Sequence, residues 1–303
     1  MFANVLLVAG QVATLFIMMG IGFALFRAGK LGKTATAQLA YLLVYVVIPC
    51  LIVDSLQIER DIDMLRSMGI ALLANFAYYA IAMPASMLLF RRRPPGTRAV
   101  MRFGVIYANV GYMGFPLIEA VFGGEAMIYA VMTLAVFILF QWTHGIYLME
   151  GKPRLSARSL LANPGIIGLV AGVALFLLDF RLPSPIGNAM SFVSSLNTPL
   201  AMIVIGAQIA QSDVKKALSS LRLYAACLIK LVLFPLAAAL ALLPFRLPAA
   251  IYAVTVVLCA TPMAAQTSIL AERYGRDTDT ASQLVTMSTL LSLVTLPLFA
   301  GFL

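Results

Sequence analysis

The chain has 303 residues, 62% of them hydrophobic and only 11% charged, with a mean hydropathy of +0.98, whereas soluble domains carry about a quarter charged residues. That balance excludes a soluble enzyme and points to an all-α integral membrane protein in a lipid bilayer. The net charge of +9 does not indicate a nucleic-acid partner, because the basic residues fall in short clusters between apolar runs, where they set topology.

A membrane span needs about 20 apolar residues. Cutting at charges and Gly/Pro clusters predicts ten segments: 4–26, 34–56, 66–90, 100–121, 125–149, 159–180, 186–210, 219–243, 249–270 and 280–302. The first apolar run, Val5 to Phe26, has no basic residue ahead of it and exceeds a signal-peptide core, so it reads as a retained span. Sixteen of the 21 Lys and Arg residues fall in one set of alternate loops, while Arg60, Arg66, Arg181 and Arg246 occupy the other, beside Glu59, Asp61 and Asp63. By the positive-inside rule the sixteen face the cytoplasm, which puts both termini on the non-cytoplasmic side of a cell inner membrane. Cys50, Cys227 and Cys259 lie inside apolar segments without CxxC or Cys/His spacing, so they read as packing residues, not as disulfides or zinc ligands.

Prolines reveal an internal repeat. Pro49 and Pro199 are 150 residues apart, and Pro116 and Pro262 are 146 apart. The chain therefore divides into a five-helix repeat at 1–149, a cytoplasmic linker at 150–158 and a second repeat at 159–303. Five is odd, so the second repeat enters from the opposite side and is inverted, as in many secondary transporters.

Two apolar segments are interrupted: the fourth at Asn109 to Pro116 and the ninth at Cys259 to Gln266. Proline removes a donor and clashes with the preceding turn, and Gly111 and Gly114 tolerate unusual backbone angles, so each segment is expected to unwind at membrane depth. Half-helices beginning after Pro116 and Pro262 would aim free N–H groups at the centre and favour a carboxylate. Carbonyls left unsatisfied near Asn109 and Thr261 would suit a cation or water. Asn109 and Gln266 are the polar side chains expected at the crossing, since an amide both donates and accepts; the competing reading is interhelical glue. Thr261, Thr267 and Ser268 are weaker candidates, because hydroxyls often bond their own helix.

Lys230 is the one basic residue well inside a span. It is expected to face the bundle interior, as a substrate contact, as an occupant of a coupling-cation position, or as a structural partner of helix carbonyls. Glu119 is the carboxylate nearest a break and a second coupling candidate, unless it simply ends its helix; Asp54 has the same bland reading. His144, near Trp142 and Tyr147, reads as part of an interfacial belt. No metal site, phosphate loop or catalytic triad has supporting spacing.

The stretches Ala108-Asn109-Val110-Gly111-Tyr112-Met113-Gly114-Phe115-Pro116-Leu117, Thr261-Pro262-Met263-Ala264, Ala271 to Asp277, Ser288 to Ser292, Asn163-Pro164-Gly165 and Leu196 to Leu200 resemble the auxin efflux carrier family. That family includes plant auxin exporters and bacterial permeases for malonate- and malate-like acids. The resemblance covers essentially the whole chain and implies a fold similar to sodium/proton antiporters and bile-acid symporters. In that fold a scaffold of segments 1, 2, 6 and 7 holds a transport domain of segments 3–5 and 8–10, often in a homodimer, with Asn109, Pro116 and Pro262 at the substrate crossing. The long loop of plant exporters between segments five and six is missing, which favours a prokaryotic permease. No acidic residue stands between Thr261 and Gln266, which weakens sodium coupling and leaves proton coupling open. The expected function is secondary transport of a small organic anion by an elevator motion. The rivals are a non-transporting anion sensor or structural subunit, and a membrane-embedded enzyme.

Overall fold

The computed structural model describes residues 2–59, 61–152 and 162–302. Arg60, Arg154 and Arg158 from the loop-charge count, most of the 150–158 linker and the start of segment six lie outside the described residues. Among those described, every regular element is helical. In chain order they are α1 (Phe2–Arg27), α2 (Lys33–Ser55), α3 (Ile62–Leu88), α4 (Pro95–Ile106), α5 (Val110–Phe122), α6 (Gly124–Glu150) and α7 (Pro164–Leu177), followed by α8 (Ser184–Gln211), α9 (Val214–Ser219), α10 (Leu221–Phe245), α11 (Ala249–Ala260), α12 (Gln266–Arg273) and α13 (Thr278–Phe302). Seven of these (α1, α2, α3, α6, α8, α10 and α13) are long and apolar enough to cross a membrane, and α5, α7 and α11 are shorter apolar helices.

Large apolar side chains point outward as well as inward: Ile17 is 68% exposed, Leu73 70% and Phe192 77%. Lipid accounts for that surface, and it removes the hydrophobic drive that would press helices together in water. Close backbone approach takes its place. At Gly22 and Gly206, α1 and α8 lie so near that a Cβ on either glycine would overlap the other helix's backbone, at Ile203 and Met19 respectively. In the same way Gly168 of α7 abuts Pro49 of α2.

Polar contacts tie together the two ends of the bundle. At one end Thr97, in the first turn of α4, donates to Asp277 at 2.7 Å, Lys216 stands 3.5 Å from Asp279, and the Arg276 guanidinium donates to the carbonyls of Met149 and Glu150 that end α6. Burial raises the affinity of the Asp277 carboxyl for its proton. The hydrogen bonds from Thr97 and Thr280 and the charge of Lys216 outweigh that effect and hold it below the ordinary carboxylate value. At the other end the Ser194 hydroxyl donates to Asp54 at 2.7 Å, and the Leu182 N–H to the Gln57 side-chain oxygen at 2.9 Å.

One expectation needs correction. Segment four does not unwind over Asn109 to Pro116: the break is Tyr107–Asn109, and α5 runs through Pro116. The π turn Val110–Gly114 is the reason. Its wider i→i−5 bonds, such as Gly114 N–H to the Asn109 carbonyl at 2.9 Å, make room for the proline ring without ending the helix. Of the residues read as an interfacial belt, Tyr147 is exposed, Trp142 borders a cavity, and the half-buried His144 places Nδ1 3.1 Å from the Tyr107 hydroxyl, with Nε2 buried and without a partner among the described residues.

Candidate functional site

The two breaks meet. Residues 107–109, between α4 and α5, run antiparallel to residues 262–264, between α11 and α12, with Ala108 opposite Met263. Asn109 N–H donates to the Pro262 carbonyl at 2.8 Å, and Ala264 N–H donates to the Tyr107 carbonyl at 2.9 Å. Extended backbone at membrane depth must find partners inside the protein, and each break supplies them for the other. The Ser288 hydroxyl of α13 accepts from Met263 N–H at 3.1 Å.

Some of the carbonyls at the ends of α4 and α11, where open ones were expected, are already bonded. The Tyr78 hydroxyl donates to the Ile106 carbonyl at 2.7 Å, and Lys230 Nζ to the Cys259 carbonyl at 2.8 Å. Thr261 Oγ1 turns back onto the Leu258 carbonyl at 2.7 Å. These are long side chains from α3 and α10 reaching the crossing from outside it.

The helix beginnings are more open. Asn109 caps α5, its side-chain oxygen accepting from Tyr112 N–H at 3.3 Å, which is the usual role of asparagine before a first turn. Among the described residues Gly111 N–H has no hydrogen-bond partner, and neither do the N–H groups of Ala265 and Gln266 at the start of α12. All four residues border one cavity of about 630 Å³, within the roughly 300–1,000 Å³ typical of small-molecule sites. Two helix N-termini thus face one space, and their partial positive charge favours an anion there.

Of the sequence-predicted residues, the cavity gathers Asn109, Gly111 and Gln266, with Ser268 from the weaker set. Gly114, Pro116, Thr261, Pro262, Lys230 and Glu119 do not line it. Gly114 is a contact glycine: an added Cβ would stand 2.5 Å from a Leu258 methyl of α11. Lys230 is fully buried, with Nζ on the Cys259 carbonyl. Glu119 is exposed at the opposite end of α5, where it accepts from Thr198 at 3.0 Å. Thr267 is buried, and its hydroxyl has no partner among the described residues.

Sequence reasoning missed Gln141, Trp142, Asn163 and Gln208, which also border the cavity. The signal for Gln141 was an amide inside an otherwise apolar stretch, and for Asn163 an Asn-Pro pair opening a helix. The wall also includes Lys33, Gln211, Glu272 and Ser282 at helix ends on the Arg276–Asp277 side, and Tyr41 and Tyr45 of α2, whose rings stack at 4.2 Å.

The family model described as "Membrane transport protein" matches residues 7–156 and 153–300. Among curated proteins the chain is similar to a "Putative malonate transporter" of Rhizobium meliloti (strain 1021), 25% identical over 300 residues covering 95% of this chain and 93% of that one. It is also similar to an "Uncharacterized transporter" of Methanothermobacter thermautotrophicus, 26% identical over 299 residues covering 95% of this chain and 96% of the other.

Proposed function

Because the chain belongs to the membrane transport protein family, whose auxin efflux carrier motifs it shares, and is therefore a transporter and not an enzyme, we propose that it is a secondary active transporter of a small organic anion, a mono- or dicarboxylate. It works by elevator-type alternating access. The observation that carries this reading is the convergence of the α5 and α12 N-termini, with Asn109 and Gln266, on one cavity between crossed helix breaks.

The finer architecture belongs to the same proposal. Ten spans form two inverted five-helix repeats. A scaffold of α1, α2, α7 and α8 carries a transport domain of α3–α6 and α10–α13 in a homodimer of the inner membrane, with both termini outside. The cavity wall uses helix ends from the basic side, Lys33, Gln211 and Glu272 among them, so in this reading the cavity is open to the cytoplasm. The similarity to a "Putative malonate transporter" makes malonate the first substrate to try.

Coupling through a cation at the α4 and α11 carbonyls is disfavoured. Tyr78 and Lys230 already donate to Ile106 and Cys259 there, so a sodium ion would have to displace bonded donors.

The test is malonate uptake into proteoliposomes. Asn109→Ala should abolish it; wild-type rates in that variant would sink the site assignment. Membrane-impermeant labelling of a cysteine at Arg92 tests the orientation, and labelling from outside intact cells would overturn it.

A further inference from the structure

Gln141 opens a π turn, Gln141–Gly145, in the middle of α6, a distortion often found where a helix serves a site. It is only 5% exposed, and its carboxamide, for which the described residues offer no hydrogen-bond partner, borders the cavity. What the amide can donate and accept is therefore directed to whatever fills that space. A second carboxamide lies close by. Asn163 Oδ1 accepts from Gly165 N–H at 2.9 Å and from Ile166 N–H at 3.2 Å, capping α7. Those two bonds fix which end of the amide is oxygen, so its NH2 group, also unpartnered, is the end left for the cavity that Asn163 lines.

Packing brings together the helices that carry the two amides. A Cβ at Gly165 would lie 2.8 Å from Ile138 Cδ1 and 3.1 Å from Asn163 Oδ1, so Ile138 of α6 neighbours the start of α7. Gln141 is three residues beyond Ile138, on the same face of α6, and both Ile138 and Gln141 line the cavity. From there α6 runs toward its Glu150 end, the end from which α7 departs.

We infer that Gln141 and Asn163 form a second binding station in the cavity, taking the distal carboxylate of a short dicarboxylate whose first carboxylate sits at the α5 and α12 N-termini. Each amide offers two N–H donors, and a carboxylate has about four acceptor sites for them. The station has no full positive charge of its own. It therefore selects among anions already drawn in, and distinguishes two carboxylates from one. This assignment rests on the anion-transporter reading above.

The experiment compares malonate with propionate, equal in carbon number and one carboxylate apart, by titration calorimetry on the detergent-purified full chain. The wild type should prefer malonate, and Gln141→Leu should lower malonate affinity by about tenfold to a hundredfold, the effect of hydrogen bonds to an ionised group, while leaving propionate binding intact as proof of folding. Asn163→Asp keeps the helix cap but sets a carboxylate where the amide donors were, and should lose the malonate preference too. Should Gln141→Leu not purify as a single species, Asn163→Asp decides. Retained preference in the variants, with Asn109→Ala abolishing both ligands, overturns the station and leaves the transport reading standing. Absence of any anion binding to the wild type overturns both.

Discussion

Replacing Asn109 by Asp separates the two tasks of this residue. As a helix cap the change is conservative, because Asp and Asn are about equally good before a first turn, and the new carboxylate can still accept from Tyr112 N–H. As a wall of the cavity it is not. A negative charge about 4 Å from a bound carboxylate costs roughly 1 kcal/mol in a water-like medium and roughly 4 kcal/mol at the effective dielectric near a protein surface. Asn109 is only 4% exposed, so the upper part of that range applies. At about 1.4 kcal/mol per tenfold, malonate should bind roughly a hundredfold to a thousandfold more weakly. Melting in detergent and malonate titration at pH 7 read the two effects separately. The expected pair of results is an unchanged melting temperature with anion binding lost. An Asp variant whose malonate affinity stays within about threefold of the wild type would refute the claim that the α5 N-terminus holds an anion.

Lys230→Ala should lower stability by about 2–5 kcal/mol, as for other long buried side chains cut to alanine, since Lys230 is fully buried and donates to Cys259. Anion affinity, measured on the variant in parallel, should stay close to wild type because Lys230 does not line the cavity. Gly206→Leu should abolish the monodisperse protein peak on size exclusion, because even modest overpacking costs about 1–3 kcal/mol and here the side chain would meet the Met19 backbone of α1. Asp277 titrates lower in the folded state than in the unfolded one. Its contribution is therefore complete above the ordinary carboxylate value and fades as pH falls through the lower folded value. Asp277→Asn should lower the melting temperature near neutrality, where that contribution is complete, and flatten the acid limb of a thermal-shift profile so that the two proteins converge at low pH.

The all-helical fold and seven long apolar helices were legible because apolar length is nearly the whole requirement for crossing lipid. The breaks were legible less sharply. Pro262 does sit in the gap between α11 and α12, but Pro116 misled, since the π turn Val110–Gly114 absorbs its missing donor and the real gap falls at Tyr107–Asn109. Local sequence shows that a proline disturbs a helix and not how the turn before it adapts. The fate of the freed carbonyls was out of reach for another reason: Tyr78 and Lys230 come from helices distant in sequence, 28 and 29 residues from the groups they satisfy. Gln141 and Asn163 were readable as polar intrusions, yet only the packing of α7 beside α6 joins them at one wall.

The most direct test of the central claim is counterflow of radiolabelled malonate into proteoliposomes preloaded with unlabelled malonate. A carrier that alternates access through the crossed breaks should give a transient overshoot of label in the wild type and none in Asn109→Asp. Malonate binding without counterflow would contradict transport and leave a protein that senses the anion in place.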